Sequence, residues 1–104
     1  MARPRTELQS ILEDILGNAG KVYFQPANGL QLKYPCITYE LVGEENVKAD
    51  NISYLKYKRY TVTCISRNPD TIIPDRVMDR FDHCSYDRRF VSDNLYHDVI
   101  TVYF

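Results

Sequence analysis

The first regular pattern of hydrophobic and polar positions covers residues 6–17. Its apolar residues recur every three or four positions, which is the spacing of one face of an α-helix, and acidic or amide residues lie opposite. The apolar residues are Leu8, Ile11, Leu12, Ile15 and Leu16. Thr6 and Gln9 have the spacing of a capping box, and Gly17 or Gly20 is suited to end the helix. The pattern predicts an amphipathic helix.

Two segments with β-strand patterns follow this helix. Residues 21–25 are rich in β-forming side chains and stop at Pro26, which cannot donate to a β-ladder. Further on, apolar residues alternate with polar ones at Ile37, Tyr39 and Leu41. Alternation of this kind is typical of a strand with one buried face, so each segment predicts a strand.

A polar stretch separates this strand from the next one. Residues 43–53 show neither the helical nor the strand period, which predicts a loop long enough to have a functional role, such as a contact arm. Alternation returns over residues 54–66, where Tyr60, Val62 and Cys64 share one face. This second alternating segment predicts a long strand beside the previous one.

The last part of the chain predicts a helix followed by a hairpin. Apolar residues at helical spacing mark the helix at Ile73, Val77, Met78 and Phe81. Pro74 is tolerated because it falls in the first turn. The hairpin has strands at residues 85–91 and 96–104, joined by a turn at residues 92–94.

The predicted order of elements is therefore α-β-β-β-α-β-β. Without an alternating β-α-β pattern, a mostly antiparallel sheet of four to five strands is favoured, with two helices packed on one face. The 104 residues fit one domain, covering residues 1–104. We predict the α+β class.

Composition narrows the range of partners. The net charge is -1, which gives no general electrostatic attraction to nucleic acid or to an anionic membrane. The three cysteines lack a CxxC pair, as expected for reduced thiols in a cytoplasm, and no apolar run approaches the ~20 residues that span a bilayer. Nine tyrosines and no tryptophan favour interfaces, because tyrosine combines a large apolar ring with a hydroxyl.

One helical face carries acidic residues that suggest a metal site at first sight, at Asp75, Asp79 and Asp82. Arg76 and Arg80 are interleaved with them, however, so a solvated, salt-bridged face is favoured. We predict no metal site here.

The candidates for catalysis are also weak. His97 and Asp98 are adjacent, but neighbours in a strand point to opposite faces. His83 and Cys84 have no partner at a catalytic or zinc-binding spacing, and phosphate-binding and nucleophile-elbow motifs are absent. We predict no catalytic or cofactor-binding residues and no cofactor.

Basic and aromatic residues are interleaved between Tyr54 and Tyr60. The basic residues are Lys56, Lys58 and Arg59, and the aromatic residues are Tyr54, Tyr57 and Tyr60. Proteins that bind single-stranded nucleic acid combine such residues, but strand alternation alone produces the same pattern. Arg88 and Arg89 should point to opposite faces of their strand, so at least one should face a partner, solvent or an edge. The candidate interface residues are Glu44, Glu45, Asp50, Asn51, Tyr54, Tyr57, Arg59, Arg88 and Arg89.

Several segments resemble, in this order, small tail-completion or tail-terminator proteins of siphophages and prophages. The most specific are VYFQP, KYPCITYE at residues 33–40, ADN followed by Tyr54, YTVT at 60–63 before NPD, and DNLYHDV. The resemblance spans nearly the whole chain. It concerns shape and assembly and implies no catalytic or cofactor-binding residue.

The resemblance implies a subunit of a homohexameric ring in the virion, made in the host cytoplasm, that caps the tail tube and joins it to the head. Its partners would be its own copies, the tail tube protein and head-tail connector proteins, with no membrane involved. DNA would pass through the lumen as cargo, and the residues Glu44, Glu45 and Asp50 are candidates to line it.

Three alternatives remain open from the sequence. A head-closure or connector subunit of the neck has the same size, composition and mode of assembly. A small nucleic-acid-binding module would use the strand at residues 54–60. An enzyme is the third alternative, with His97 or Cys84 as its candidate residues.

Overall fold

A computed structural model describes residues 4–17, 21–26, 33–48 and 54–104, with the backbone alone for residues 44–48 and 54–57. In chain order the elements are α1 (Arg5–Leu16), β1 (Lys21–Phe24), β2 (Cys36–Lys48), β3 (Tyr54–Ser66), α2 (Ile73–Arg80), β4 (Cys84–Ser92) and β5 (Leu95–Tyr103). The predicted order and the α+β class are confirmed. Neither described helix is long and apolar enough to cross a membrane.

The five described strands form one sheet in the order β1-β2-β3-β5-β4. The pairs β2–β3, β3–β5 and β4–β5 are antiparallel, and β1 pairs with β2 in parallel. The prediction of a mostly antiparallel sheet is therefore confirmed. Because β4 and β1 stand at the two ends of this order, each leaves one side without a neighbouring strand of the described chain.

Both helices bury their apolar stripes against one face of this sheet. The core residues, all at most 7% exposed, are Leu8, Leu12, Leu16, Ile37, Tyr39, Tyr60, Val62, Cys64, Val77, Phe81, Ile100, Val102 and Phe104. Positions four apart on α1 lie on one side of a helix, and alternate positions on each strand point to the same face, so these residues form one layer. The predicted faces of α1 and β3 are confirmed.

The other face of the sheet has no helix over it in the described part of the chain. Its middle carries half-buried threonines at Thr38, Thr61, Thr63 and Thr101. At one end, Cys36, Ile65 and Leu95 form a second small apolar cluster against two tyrosine rings. We call this side of the sheet the open face.

The predicted capping box at the start of α1 is wrong. Pro4 is the N-cap, with no side-chain cap bond. The Gln9 amide instead donates to the Val22 carbonyl at 3.3 Å, and its oxygen accepts from the Tyr39 hydroxyl. Contacts with the sheet therefore outweigh the local cap. The helix ends at Gly17, whose φ of 69° favours glycine.

The predicted loop over residues 43–53 is wrong for residues 43–48, which continue β2, while residues 49–53 lie outside the described chain. The register shifts between Leu41 and Gly43, so Val42 is the extra residue of a β-bulge. A bulge reverses the order of inward and outward positions, which hides the two-residue period in the sequence.

The C-terminal hairpin is confirmed, with a tighter turn than predicted. Asp93 and Asn94 have φ values of 53° and 64° and are the two central residues of the turn. Positive φ at both positions is typical of a type I′ turn, which suits the twist of a hairpin. Pro74 lies in the first turn of α2, as predicted.

The core gives a direct test of the fold. Leu12 is fully buried between α1 and the sheet, so Leu12→Ala should lower the free energy of unfolding by about 2–5 kcal/mol through lost burial and an unfilled cavity. Ser10→Ala changes an exposed position on the same helix and should alter it by at most about 0.5 kcal/mol. Urea unfolding of both variants measures the difference, and equal stabilities would contradict this core.

Candidate assembly surfaces

Besides the outer side of β1, two longer stretches of sheet edge have no neighbouring strand among the described residues. The first runs along all of β4, and we call residues 84–92 the β4 edge. The second begins where β1 stops covering β2: Phe24 is the last β1 residue in register, opposite Tyr39, and the side-chain oxygen of Gln25 accepts from the backbone N–H of Leu41 at 3.3 Å. Beyond that point β2 has no further neighbour on this side in the described chain. We call residues 41–48 the β2 edge.

A two-stranded ribbon projects from the end of the sheet that carries the β2 edge. The Lys58 and Phe104 backbones hydrogen-bond to each other at 2.9 and 3.1 Å, which marks the end of the three-stranded region. Beyond this point residues 45–48 and 54–57 continue as a pair with no third strand among the described residues, and we call residues 43–48 together with 54–57 the ribbon. A hairpin alone is marginally stable in water, so the ribbon is a segment that a neighbouring molecule would stabilise.

The ribbon brings together four of the predicted interface positions. Its register pairs Glu45 with Tyr57 and Glu44 with Lys58, and Tyr54 pairs with Lys48 at the far end. The predicted interface residues Asp50 and Asn51 lie outside the described residues. The predicted contact arm thus corresponds to paired β-structure over its described part.

Arg59 stands at the base of the ribbon and has a structural role there. A Cβ added to Gly43 would lie 3.0 Å from the Nη2 atom of Arg59, so the guanidinium group lies directly against the glycine backbone. The arginine covers the strand at the position after the bulge. Since Arg59 is only half-buried, its charge is still accessible at the rim of the ribbon.

Arg89 faces the helix side of the hairpin and binds Asp98. Its Nε donates to Oδ1 of Asp98 at 2.8 Å and its Nη2 donates to Oδ2 at 3.2 Å. The hydroxyl of Tyr86 also donates to Oδ1. Asp98 is 1% exposed, so its carboxylate is satisfied from within the chain. Arg89 thus stiffens β4 and is not freely available to a partner.

These bonds also shift acid-base equilibria. The hydrogen bond to Asp98 raises the pKa of the Arg89 guanidinium. Burial and then the hydrogen bond to Asp98 raise the pKa of the Tyr86 phenol. Both shifts favour the protonated forms of Arg89 and Tyr86, which are the forms that donate hydrogen bonds.

Arg88 points to the open face, opposite to Arg89, as predicted for strand neighbours. The register shifts between Tyr86 and Arg88, so Asp87 is the extra residue of a second bulge. The Arg88 guanidinium lies 5.5 Å from the Phe90 ring centre, and that ring stacks on His97 at 4.6 Å. Arg88 is exposed, and its charge is presented beside an aromatic pair at the β4 edge.

The two edges also carry most of the exposed large hydrophobic side chains of the described chain. Six large hydrophobic side chains of the described chain are 39–59% exposed: Leu41, Val42, Ile72, Tyr86, Phe90 and Val91. The first two belong to the β2 edge and the last three to the β4 edge. A long sheet edge with apolar side chains tends to pair with another strand unless it is protected. Within the described residues, one bulge interrupts each of these two edges.

The geometry separates the residues considered for catalysis. Asp98 lies on the helix side with Arg89, whereas His97 stacks on Phe90 on the open face, so the two do not act as a dyad. Burial raises the pKa of the Cys36 thiol to about 11 and that of Cys64 to about 12, with Asp98 adding to the second shift. These thiols lack the ionised form that nucleophilic attack requires at neutral pH.

Metal ligation finds no support in the described ranges, where no cluster of three His, Cys, Asp or Glu side chains is placed to hold an ion. Arg76, one of the two arginines interleaved with the acidic residues of α2, donates to the Ile15 carbonyl at 3.3 Å. It therefore links the two helices.

A groove of about 600 Å³ lies at the far end of the sheet from the ribbon, between Tyr34-Pro35 and residues 66–73. Its polar groups serve the local turn: Ser66 Oγ accepts from the Asn68 N–H, and Asn68 Oδ1 accepts from the Asp70 N–H. These groups are therefore already engaged, which leaves few convergent donors for a ligand.

The Asp98 cluster and the exposed apolar residues of the β2 edge were not predicted from the sequence. A two-residue turn at Asp93-Asn94 places Arg89 opposite Asp98, so counting back from this turn would have found the pair. The predicted three-residue turn at residues 92–94 would instead shift this cross-strand pairing by one residue. The exposure of Leu41 has no such signal, because it depends on where β1 ends.

The thiol environments give a second test. Native Cys36 and Cys64 should react with a thiol reagent more than about tenfold more slowly than in the unfolded chain at neutral pH, because their raised pKa values keep them protonated and burial blocks access. Half-buried Cys84 should react first. Comparing native with urea-unfolded protein provides the control, and equal rates would contradict the buried placement.

The Asp98 cluster gives a third test. Asp98→Asn should lower the free energy of unfolding by about 1–3 kcal/mol, because the amide cannot accept from Arg89 through both of its atoms. Asp82→Asn is the matched control: it changes an exposed carboxylate just before β4 and should have an effect within about 0.5 kcal/mol. Urea unfolding measures both variants. An Asp98→Asn variant as stable as the wild type would contradict a stabilising role for the Asp98 carboxylate.

Comparison with known proteins assigns no family. No protein-family model matches the chain, and no curated protein gives a significant sequence match. The function must therefore be inferred from the sequence motifs and from the geometry of the sheet edges.

Proposed function

We propose that the chain is a structural protein of a bacteriophage virion, a tail-terminator or tail-completion subunit that forms a ring with its own copies. The ring would cap the finished tail tube, stop its polymerisation and join it to the head. Binding would be its whole activity, without catalysis or a cofactor. The single observation that carries the proposal is the presence of two unpaired, partly apolar edges on opposite sides of one sheet.

Opposite edges suit a ring better than a simple dimer. A ring needs two different surfaces on each copy, so that one surface binds the other on the next copy around an axis. The β4 edge and the β2 edge are such a pair, since each has unpaired backbone and exposed apolar side chains. The proposal is thus supported by the shape of the subunit as well as by the motif resemblance.

The ribbon gives a second line of support. Its described part extends the molecule to 51 × 25 × 23 Å, an elongated shape for a chain of this length. Extended β-structure without a core of its own gains stability when another molecule covers it. We propose that the ribbon contacts either the next ring subunit or the tail tube.

The ring proposed here is a hexamer, following the motif resemblance, and DNA would pass through its lumen. A weakly negative or neutral lumen would let DNA move without binding tightly, which agrees with a net charge of -1. Glu44 and Glu45 are neighbours in a strand and point to opposite faces, so one of the two is proposed to line the lumen, together with Asp50.

A nucleic-acid-binding module is the second candidate function, and one observation favours it. Besides the Phe90–His97 stack next to Arg88, His83 stacks on Tyr103 at 4.2 Å. Aromatic rings beside cations can stack on bases of single strands. The near-zero net charge argues against it. Affinity for oligonucleotides that falls steeply with salt would favour this function over the virion role.

The proposed function predicts an oligomer. The purified protein should show a mass several times that of its 12.2 kDa chain, with a hexamer expected, and electron micrographs should show rings. Added to growing tail tubes, it should stop their elongation and be found at the tube end. Localisation at the portal instead would indicate a head-side connector. A protein that stays monomeric at high concentration and does not bind tubes would contradict the proposal.

A further inference from the structure

We propose that neighbouring copies join by β-augmentation, with the β4 edge of one copy adding as an antiparallel strand to the β2 edge of the next. This inference rests on the proposed ring and specifies its interface. The occupant of each edge is therefore a second copy of this chain. A continuous sheet would then run from subunit to subunit.

Strand direction favours this pairing. Within the sheet, β2 runs antiparallel to β3, β3 antiparallel to β5, and β5 antiparallel to β4. Consequently β4 runs opposite to β2. When a second copy continues the sheet in the same orientation, its β2 edge meets the β4 edge as an antiparallel pair, which is the slightly more stable arrangement per residue.

The two edges have similar lengths. The β4 edge has nine residues, and the β2 edge runs from Leu41 to Lys48. Both present apolar side chains, so pairing would bury Leu41 and Val42 together with Phe90 and Val91. Burial of such side chains is favourable in proportion to the area removed from water. The same pairing would satisfy backbone groups that otherwise depend on solvent.

Charge complements the apolar contact. The β4 edge carries Asp87, Arg88 and Arg89, a formal charge of +1, and Arg88 is exposed. The β2 edge carries the acidic residues Glu44 and Glu45 and the basic residue Lys48, a formal charge of -1. Opposite charges on the two edges favour pairing of unlike edges, and they disfavour pairing of a β4 edge with another β4 edge.

The levels of the two edges favour a closed ring. Leu41 pairs with Tyr60, Tyr60 with Val102, and Val102 with Cys84, so Leu41 and Cys84 lie at the same height along the strand direction. From this height the β2 edge and the β4 edge extend in opposite directions. Pairing five to seven residues therefore displaces the next copy along the strands by four to six residue steps, roughly 13–20 Å. Four strands from β2 to β4 are roughly 19 Å wide. This stagger tilts the strands by about 35–45° to the ring axis, which is the tilt of closed β-barrels.

Two features prepare the β4 edge for a specific partner. The Asp98 carboxylate fixes both Arg89 and Tyr86, so part of the edge is already ordered before association and less conformational entropy is lost. Each edge also contains one bulge, at Asp87 and at Val42. Bulges discourage pairing with an arbitrary strand and thereby restrict the edge to a partner of matching shape.

The test uses three matched substitutions in the full-length protein. Val91→Lys places a charge on the β4 edge, Val42→Lys places one on the β2 edge, and Ile72→Lys changes an equally exposed apolar residue that lies on neither edge. Sedimentation measures the mass of each, and thermal unfolding confirms that each is folded. We expect Ile72→Lys to keep the wild-type ring, and the two edge variants to raise the subunit dissociation constant at least about tenfold.

Mixing the two edge variants tests which edges meet. The Val91→Lys copy keeps an intact β2 edge and the Val42→Lys copy keeps an intact β4 edge, so a mixture should form heterodimers that grow no further. If Val42→Lys alone forms dimers, β4 edges pair with each other and the inference is wrong. If wild type forms rings and both edge variants keep them, the ring stands but uses other surfaces. A monomeric wild type that also fails to bind tail tubes would overturn the proposed function itself.

Discussion

Burial of a single face of the sheet under α1 and α2 is the constraint on which the other features of the molecule depend. Two short helices supply one apolar layer, with Leu8, Leu12 and Leu16 from α1 and Val77 from α2 at its centre. The described part of the chain contains no further helix for the other face or for the edges. The open face is consequently filled with threonines, which tolerate partial exposure and suit β-structure.

The same constraint explains where the sequence predicted the structure well. A residue that touches this layer repeats with the period of its element, so the faces of α1 and β3 could be predicted from Leu8, Leu12, Tyr60 and Val62. Asp93 and Asn94 gave the position of the hairpin through their turn preference. All of these signals arise from local geometry or from burial.

Where burial ends, the sequence signal ends too. The ribbon residues from Gly43 to Lys48 pair through their backbones, and backbone pairing leaves no mark on side-chain order. The bulge at Val42 reverses the alternation at the same place. Of the predicted interface residues, Arg89 is bound within the chain by Asp98, whereas Arg88 is exposed. A distinction of this kind depends on cross-strand register, which a periodicity count does not resolve.

Assembly and folding are coupled in a molecule built this way. In the described chain, the β2 edge and the β4 edge have backbone without a neighbouring strand and expose Leu41, Val42, Phe90 and Val91. Association would cover both the backbone and these side chains. Since a partner that binds only the ordered ribbon stabilises it by mass action, the ribbon should become more ordered as the ring forms. The core under the helices needs no such help, because its apolar residues are already buried within one copy. A subunit whose core is complete within one copy can fold first and associate through its edges afterwards. Copies that enter the ring are then already folded.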